Sequence, residues 1–135
     1  MNAIFIDFND MIEGYTWPCN AVYNKDTIRF LKSFSETVSF IFICGYEELN
    51  TIIHKTNLKD IKNLERFTEL HLYGLITVLE IKYYINKYNI DKFAIITNLD
   101  YFDNYSDDYN EHIVKLDELG FLSDESKQKI IKLLK

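Results

Sequence analysis

The chain's clearest chemical signal is a carboxylate that directly follows a short apolar run near the start. Residues 3–10 read Ala-Ile-Phe-Ile-Asp-Phe-Asn-Asp. Apolar β-formers followed by polar turn formers are typical of a buried strand in an α/β sheet. A side chain at the carboxyl end of such a strand faces the crevice in which these sheets bind ligands. Asp7 is therefore the leading candidate site residue.

Alternating strand and helix patterns must position this residue. They predict strands at about 38–43, 93–96 and 112–116, and helices at about 25–36, 46–54, 77–88 and from Ser123 onward. Residues 11–24 are predicted as a turn-rich loop or small flap, residues 59–66 as a charged connection, and 67–75 are ambiguous. Because such crossovers are nearly always right-handed, we expect a three-layer, Rossmann-like α/β fold. Its mostly parallel sheet should have four or five strands, with helices on both faces.

Composition limits the class of protein. A chain of 135 residues with 47% hydrophobic and 16% aromatic content is typical of a single globular domain, here residues 1–135. The formal charge of −6 does not favour binding to a nucleic-acid backbone, although it leaves room for a local basic patch. Two cysteines are too few for a disulfide framework, and no apolar stretch approaches the roughly 20 residues that span a bilayer. We expect a cytoplasmic protein with free thiols and no membrane partner.

The apolar run ending in Asp7 and Asn9 resembles the first motif of the haloacid dehalogenase (HAD) superfamily, Asp-x-Asp, with Asn9 replacing the second Asp. The order of elements extends the resemblance over nearly the whole chain, which is similar to the capless HAD domain of Swiss Army Knife RNA repair proteins. There the last strand leads through a Gly-Leu-Thr-like turn into the final helix. Residues 113–123 here read Ile-Val-Lys-Leu-Asp-Glu-Leu-Gly-Phe-Leu-Ser. The resemblance implies a HAD-like fold and a site for magnesium-dependent phosphoryl transfer.

The resemblance implies roles for residues after the first two strands. The family's first Asp attacks phosphorus and forms an aspartyl-phosphate, which is the position of Asp7. The second Asp serves as general acid and base, a role that the amide of Asn9 cannot fill. A Ser or Thr ending the second strand donates to the phosphate, and here a weaker donor, Cys44, takes that place. Glu47 stands where the subfamily often has an Arg, so its charge would repel a phosphate.

Two later motifs are also altered. The family's third motif supplies a Lys that neutralises phosphate charge, and the candidate is Lys82, although its position is late. The fourth motif supplies acids that complete a magnesium site, but Thr97 and Asn98 occupy the natural acidic positions. We expect magnesium binding to be weak or absent unless Asp10 or Asp100 turns inward, because Asp7 would otherwise be its only charged ligand. The implied metal ligands are Asp7, the Asn9 backbone carbonyl and Asp100.

Ordinary structural roles compete with these assignments. Asp7 would also serve as a cap for the turn that follows it. Cys44 would also serve as a small buried residue, because no histidine can be placed as its partner. The three histidines have no metal-ligand spacing and receive no role: His54, His71 and His112.

A polar loop at residues 101–111 combines acidic and aromatic residues. Exposed rings of Tyr101, Tyr105 and Tyr109 would supply binding energy to a protein partner. The alternative is that these rings pack back onto the sheet. The acidic residues lack the ligand spacing and central glycine of a calcium loop, so we expect a solvated acidic loop.

Two classes of function follow. We favour a HAD-like domain with degenerate catalytic motifs, a pseudoenzyme that acts as a binding or inhibitory module. Each altered group is typically worth orders of magnitude in rate, so their combined loss is hard to reconcile with efficient turnover. The alternative is an active magnesium-dependent phosphatase acting on a phosphoester of a macromolecule, such as an RNA end or a protein, or of a nucleotide.

Overall fold

Strands and helices alternate along the chain in the computed structural model, which describes residues 1–18, 20–34, 36–45, 47–58, 64–66, 78–98 and 107–135. The first half contains β1 (Asn2–Asp7), a first 3₁₀ helix (Phe8–Met11), β2 (Ile12–Thr16), β3 (Asn20–Tyr23), α1 (Lys25–Lys32), β4 (Phe40–Cys44) and α2 (Leu49–Thr56). The second half contains β5 (Leu64–Arg66), α3 (Val78–Tyr88), β6 (Lys92–Ile96), a second 3₁₀ helix (Asp107–His112), β7 (Ile113–Val114) and α4 (Asp124–Leu134).

Within the described residues, five strands form one parallel sheet in the order β5-β4-β1-β6-β7. Numbered by their occurrence in the chain, these strands run 3-2-1-4-5, which is the order of a doubly wound, Rossmann-like sheet. The strand order reverses between β1 and β6, and ligands bind such sheets at the carboxyl ends of the strands flanking that point. The α/β class and the parallel sheet are therefore confirmed, and Asp7 lies at the switch point.

The two faces of the sheet bury separate hydrophobic cores. Ile4 and Ile6 of β1 belong to a core that includes residues of α1, α2 and α4. Ala3 and Phe5, which alternate with them, belong to a core that includes residues of α3. The Phe5 ring stacks on Phe42 of β4 with centroids 4.8 Å apart. Helices therefore cover both faces, as predicted, because the central strand is apolar on both sides.

Capping side chains lie at the starts of two helices. Asn24 accepts hydrogen bonds from the Asp26 and Thr27 backbone N–H groups at the start of α1. Ser123 accepts one from the Ser126 N–H at the start of α4. Both residues act as caps, because short polar side chains satisfy the free N–H groups of a first helical turn. Among the described residues, no helix has the length and apolar character needed to span a membrane.

Several segments differ from the sequence prediction. Ile12–Thr16 and Asn20–Tyr23 pair as an antiparallel hairpin, within the segment predicted as a turn-rich loop or small flap. Residues 64–66 pair with β4 and form the outermost strand on that side among the described residues, whereas their charge had predicted a connection. The helix predicted to reach residue 36 ends at Lys32, and the ambiguous segment 67–75 lies outside the described residues.

A tight turn at residues 117–121 joins the C-terminal part of the chain to the segment after Asp7. The Asp117 carboxylate accepts the backbone N–H groups of Leu119 and Phe121, each at 2.9 Å. Gly120 has a φ of +79°, and a Cβ atom there would lie 2.8 Å from the Met11 carbonyl oxygen. The Thr27 hydroxyl donates to the Gly120 carbonyl at 2.5 Å. Only glycine combines this backbone conformation with so close an approach.

Gly120→Ala should therefore lower the free energy of unfolding by about 2–4 kcal/mol, the sum of left-handed backbone strain and overpacking. Urea denaturation measures the loss. Gly14→Ala is the matched control, because nothing lies within 4 Å of a Cβ atom at Gly14, and its stability should change little. Equal losses in the two variants would contradict the close packing at Gly120.

Candidate functional site

Three neighbouring strands carry polar side chains at the same edge of the sheet. Asp7 ends β1, Cys44 ends β4, and Thr97 directly follows β6. All three residues have 0% exposure. Side chains alternate along a strand, and Cys44 belongs to the core beneath α3, so this polar cluster lies on the α3 side of the sheet. The parallel sheet thus brings together residues that are far apart in the sequence.

The Asp7 carboxylate is held by groups on two sides. Its Oδ1 accepts the Asn9 backbone N–H at 2.9 Å, so Asp7 caps the first 3₁₀ helix. Cys44 is its partner in the pairing of β1 with β4, and the Cys44 thiol is hydrogen-bonded to the Asp7 side chain. Asp7 therefore caps the turn that follows it and lies at the carboxyl edge of the sheet, while its role in a functional site stays a prediction.

Cys44 is a neutral thiol in this environment. Burial raises the pKa of Cys44 well above its ordinary value, and the nearby carboxylates of Asp7, Glu80 and Asp10 raise it further. A thiolate is the nucleophilic form of cysteine and the form that binds metals, so these causes hold the side chain unreactive. The prediction of a small buried residue with a free thiol is confirmed for Cys44. Cys19 lies outside the described residues.

Glu80 is a member of the cluster that the sequence prediction missed. It lies on α3 with 1% exposure, and its charge acts on the Cys44 thiol. Lys82, the residue of this helix chosen from the sequence, is exposed and lies roughly 200° around the helix from Glu80. The spacing of Glu80 from Tyr84 and Tyr88, four and eight residues, was the available signal for its burial. The structure therefore places an acid, and not Lys82, beside the cluster.

Asp10 connects the first 3₁₀ helix to the end of β6. Its Oδ2 accepts the Asn98 backbone N–H at 2.7 Å, and the Thr97 hydroxyl hydrogen-bonds to the same side chain. Asn98 in turn accepts the Leu116 N–H at 2.8 Å, which extends the connection beyond β7. Burial raises the pKa of Asp10, and the two hydrogen bonds offset part of that rise. A carboxylate therefore does lie at the end of β6, but Asp10 supplies it from the other side of the crevice.

The described donors do not fit a magnesium site. The cation requires about six oxygen ligands in a regular arrangement. The Asn9 carbonyl accepts the Ile12 N–H, while Asp7 and Asp10 are engaged by backbone N–H groups. Across the described ranges, no group of three or more His, Cys, Asp or Glu side chains is arranged to hold a metal ion. Asp100 lies outside the described residues.

The aromatic residues predicted to bind a partner are only partly described. Tyr101 and Tyr105 lie outside the described residues. Tyr109 is half-buried, and its ring meets the edge of Phe93 with centroids 5.5 Å apart, so this ring packs onto the sheet. For Tyr109 the structure favours the alternative that the ring packs back onto the sheet, and its role in binding a partner stays a prediction. His112 stacks on the same ring at 4.0 Å, and its Nδ1 lies 2.8 Å from the Phe93 carbonyl, as expected of a satisfied structural group.

The β2–β3 hairpin presents exposed aromatic residues that the sequence prediction did not assign. Trp17 is 94% exposed and Tyr15 is 69% exposed. The base of the hairpin is fixed, because the Tyr23 ring packs on Phe8 with centroids 5.4 Å apart. The Tyr23 hydroxyl also donates to Glu47 at 2.7 Å. The hairpin therefore carries its aromatic tip on a base that packs on Phe8, the residue after Asp7.

Glu47 is not a free negative charge. Lys55 binds it with an Nζ–Oε2 distance of 2.6 Å, in addition to the bond from Tyr23. Burial alone would raise the pKa of Glu47, but these two partners outweigh it and lower the pKa. The expectation that Glu47 would repel a phosphate is therefore weakened, since Lys55 compensates its charge.

Comparison with protein-family models, curated proteins and solved structures finds no match to this chain. The chemistry of the cluster follows from its own geometry. Asp7, Asp10 and Glu80 supply negative charge around a neutral thiol, and Thr97 and Asn98 supply hydrogen bonds. Such an arrangement is suited to holding a fixed hydrogen-bond pattern at the switch point of the sheet.

Asp10→Asn should make the protein more stable than wild type at neutral pH. Because the folded-state pKa of Asp10 is raised, its contribution to stability is fully present below the ordinary value of 3.8 and is lost as the pH rises through the folded-state pKa. The asparagine keeps an acceptor for the Asn98 N–H and cannot ionise. The advantage of the variant should therefore shrink as the pH falls.

Urea unfolding at a series of pH values measures this difference. Glu118→Gln is the control, because it removes an equal charge from an exposed turn residue. A difference between Asp10→Asn and wild type that does not vary with pH would show that burial does not govern the ionisation of Asp10.

Proposed function

We propose that this chain is a HAD-like domain without phosphoryl-transfer chemistry, which works as a binding or inhibitory module for a protein partner. The burial of Asp7 is the observation that supports it most strongly. This carboxylate has 0% exposure and is hydrogen-bonded to Asn9 and Cys44. A nucleophile must approach the reacting atom to about 3–3.5 Å, which requires access that a buried carboxylate lacks.

The neighbours of Asp7 support the same conclusion. General acid–base catalysis contributes about 10²–10⁴ in rate, and Asn9 cannot transfer a proton where the family uses an acid. Cys44 is a weak donor at the phosphate-binding position. Asp10 and Glu80 add negative charge close to that thiol, where an incoming phosphate would be repelled.

The fold supports the HAD-like part of the proposal. The strand order is that of a Rossmann-like sheet, and Asp7 ends the central strand at the switch point. The first 3₁₀ helix and the β2–β3 hairpin come directly after that strand. Fold likeness does not carry function by itself, so the loss of chemistry rests on the geometry of Asp7.

The exposed hairpin is the surface proposed to bind the protein partner. Trp17 and Tyr15 are large aromatic side chains of the kind that dominate the binding energy of protein interfaces. They extend from a base that is packed on Phe8 beside the Asp7 cluster. Tyr101 and Tyr105 remain predicted contributors.

Purified protein with magnesium and an aryl phosphate should release no phosphate above the background rate, and Asp7→Asn should leave that background unchanged. The physical reason is that Asp7 cannot reach phosphorus. Phosphate release is followed by a colorimetric assay, with thermal unfolding to establish that the variant is folded. Metal-dependent turnover that Asp7→Asn abolishes would instead establish the phosphatase alternative.

Trp17→Ala should weaken binding of the protein partner by at least about tenfold without lowering stability, because an anchoring aromatic contributes about 2 kcal/mol or more. The partner is first captured on immobilised protein from the cells that produce this chain, and its affinity is then measured with purified components. Leu79→Ala is the control, since Leu79 is a large side chain on α3 with 70% exposure. Equal effects of the two variants, or capture of no stoichiometric protein, would refute binding through the hairpin.

A further inference from the structure

A groove of about 680 Å³ lies between the β2–β3 hairpin, α1 and the C-terminal end of α2. This volume falls within the range of about 300–1,000 Å³ that is usual for small-molecule sites. The residues of the polar cluster, Asp7, Asp10, Cys44 and Thr97, do not line it. The groove is therefore a second concave surface, separate from the crevice at the end of β1.

The groove concentrates positive charge in a protein whose net charge is −6. Three cationic residues of α1 are spaced four and three residues apart, which places them along one side of the helix. A fourth comes from α2. None of the described residues that line the groove is acidic. The cationic residues are Lys25, Arg29, Lys32 and Lys55.

Most of this charge has no strong ion pair with the residues that the structure describes. Lys55 is neutralised by Glu47 at 2.6 Å. Arg29 lies 3.9 Å from Asp26, but its side chain is 81% exposed, and such exposed pairs contribute little. Lys25 and Lys32 form no ion pair with any residue in the described part of the chain. An anion in the groove would therefore meet cations that no described carboxylate neutralises strongly.

The groove also has apolar and hydrogen-bonding parts. Val22, Tyr23 and Ile28 provide apolar surface, while Asn20 and Asn57 provide amide groups. Ligand sites commonly combine such a mainly apolar lining with a few polar groups that fix orientation. The combination suits a ligand with an anionic end and a flat or apolar body.

We propose that this groove binds a small phosphorylated ligand of nucleotide size. Lysine and arginine are the residues that bind phosphate oxygens through charge-assisted hydrogen bonds. The Debye length is about 8 Å at physiological salt. The binding of a compact anion therefore depends on the cations that lie close to it and not on the net charge of the protein. A long polyanion would extend beyond the groove onto a surface that is negative on average, which disfavours a nucleic-acid strand.

Isothermal titration calorimetry with ATP tests the proposal, with inorganic triphosphate, adenosine and a short single-stranded oligonucleotide as comparison probes. ATP should bind saturably and more tightly than triphosphate or adenosine. Of these three ligands, only ATP contacts both the cationic and the apolar parts of the groove. Lys25→Glu and Arg29→Glu should each weaken ATP binding by about tenfold or more, since each reverses a charge that meets phosphate. Both residues are exposed, and circular dichroism verifies that the variants are folded.

Lys132→Glu is the matched control, because Lys132 belongs to a second cationic patch, with Lys92, Lys129 and Lys135. It should leave ATP binding within about twofold of wild type. Asp7→Asn should also leave the affinity for ATP unchanged. The proposal for the groove and the proposal for Asp7 can therefore fail independently of each other.

Four results would overturn the proposal. They are an absence of saturable ATP binding, an equal loss in Lys132→Glu, equal affinity for ATP and either of its two parts, and tighter binding of the oligonucleotide at the same phosphate concentration.

Discussion

A carboxylate buried at the end of the central strand is the constraint on which the rest of the structure depends. Residues 3–6 are fully buried between two cores, so β1 must lie in the middle of the sheet, and Asp7 is carried into the interior with it. Burying a charge is costly unless hydrogen bonds and neighbouring dipoles compensate it. The Asn9 N–H and the Cys44 thiol supply such bonds, which explains why the chain turns immediately after Asp7 and why a thiol suits the end of β4.

The connections that begin at this turn organise the carboxyl edge of the sheet. Asp10 binds the Asn98 N–H, and Asn98 binds the Leu116 N–H, so the turn, β6 and the segment after β7 form one hydrogen-bonded unit. Gly120 packs against the Met11 backbone and thereby fixes the start of the last helix to the same turn. These interactions connect the turn after Asp7 to β6, to the segment after β7 and to the turn at Gly120.

Opposite charges lie in different parts of the molecule. On the sheet side, Asp7, Glu80 and Asp10 lie close enough to Cys44 to raise the pKa of its thiol. Beside α1, a groove lined by four cations lies on the same chain. The net charge of −6 does not show this division, because it sums the charges of the chain without regard to where they lie in the structure. An acidic protein can thus contain a local site for an anion, and the two surfaces can be tested independently.

The sequence by itself determined the elements whose signals are local. The apolar runs of β1, β4 and β6, the helical periodicity of α3 and the caps Asn24 and Ser123 each act within a few residues, so the α/β class and the position of Asp7 could be predicted. The HAD resemblance remains a prediction. Only the tertiary structure decided that Glu80 is buried, that Tyr109 packs on Phe93 and that Asp10 reaches Asn98. Those outcomes depend on which distant segments meet, because burial and hydrogen-bond partners are properties of the assembled layers and not of neighbouring residues.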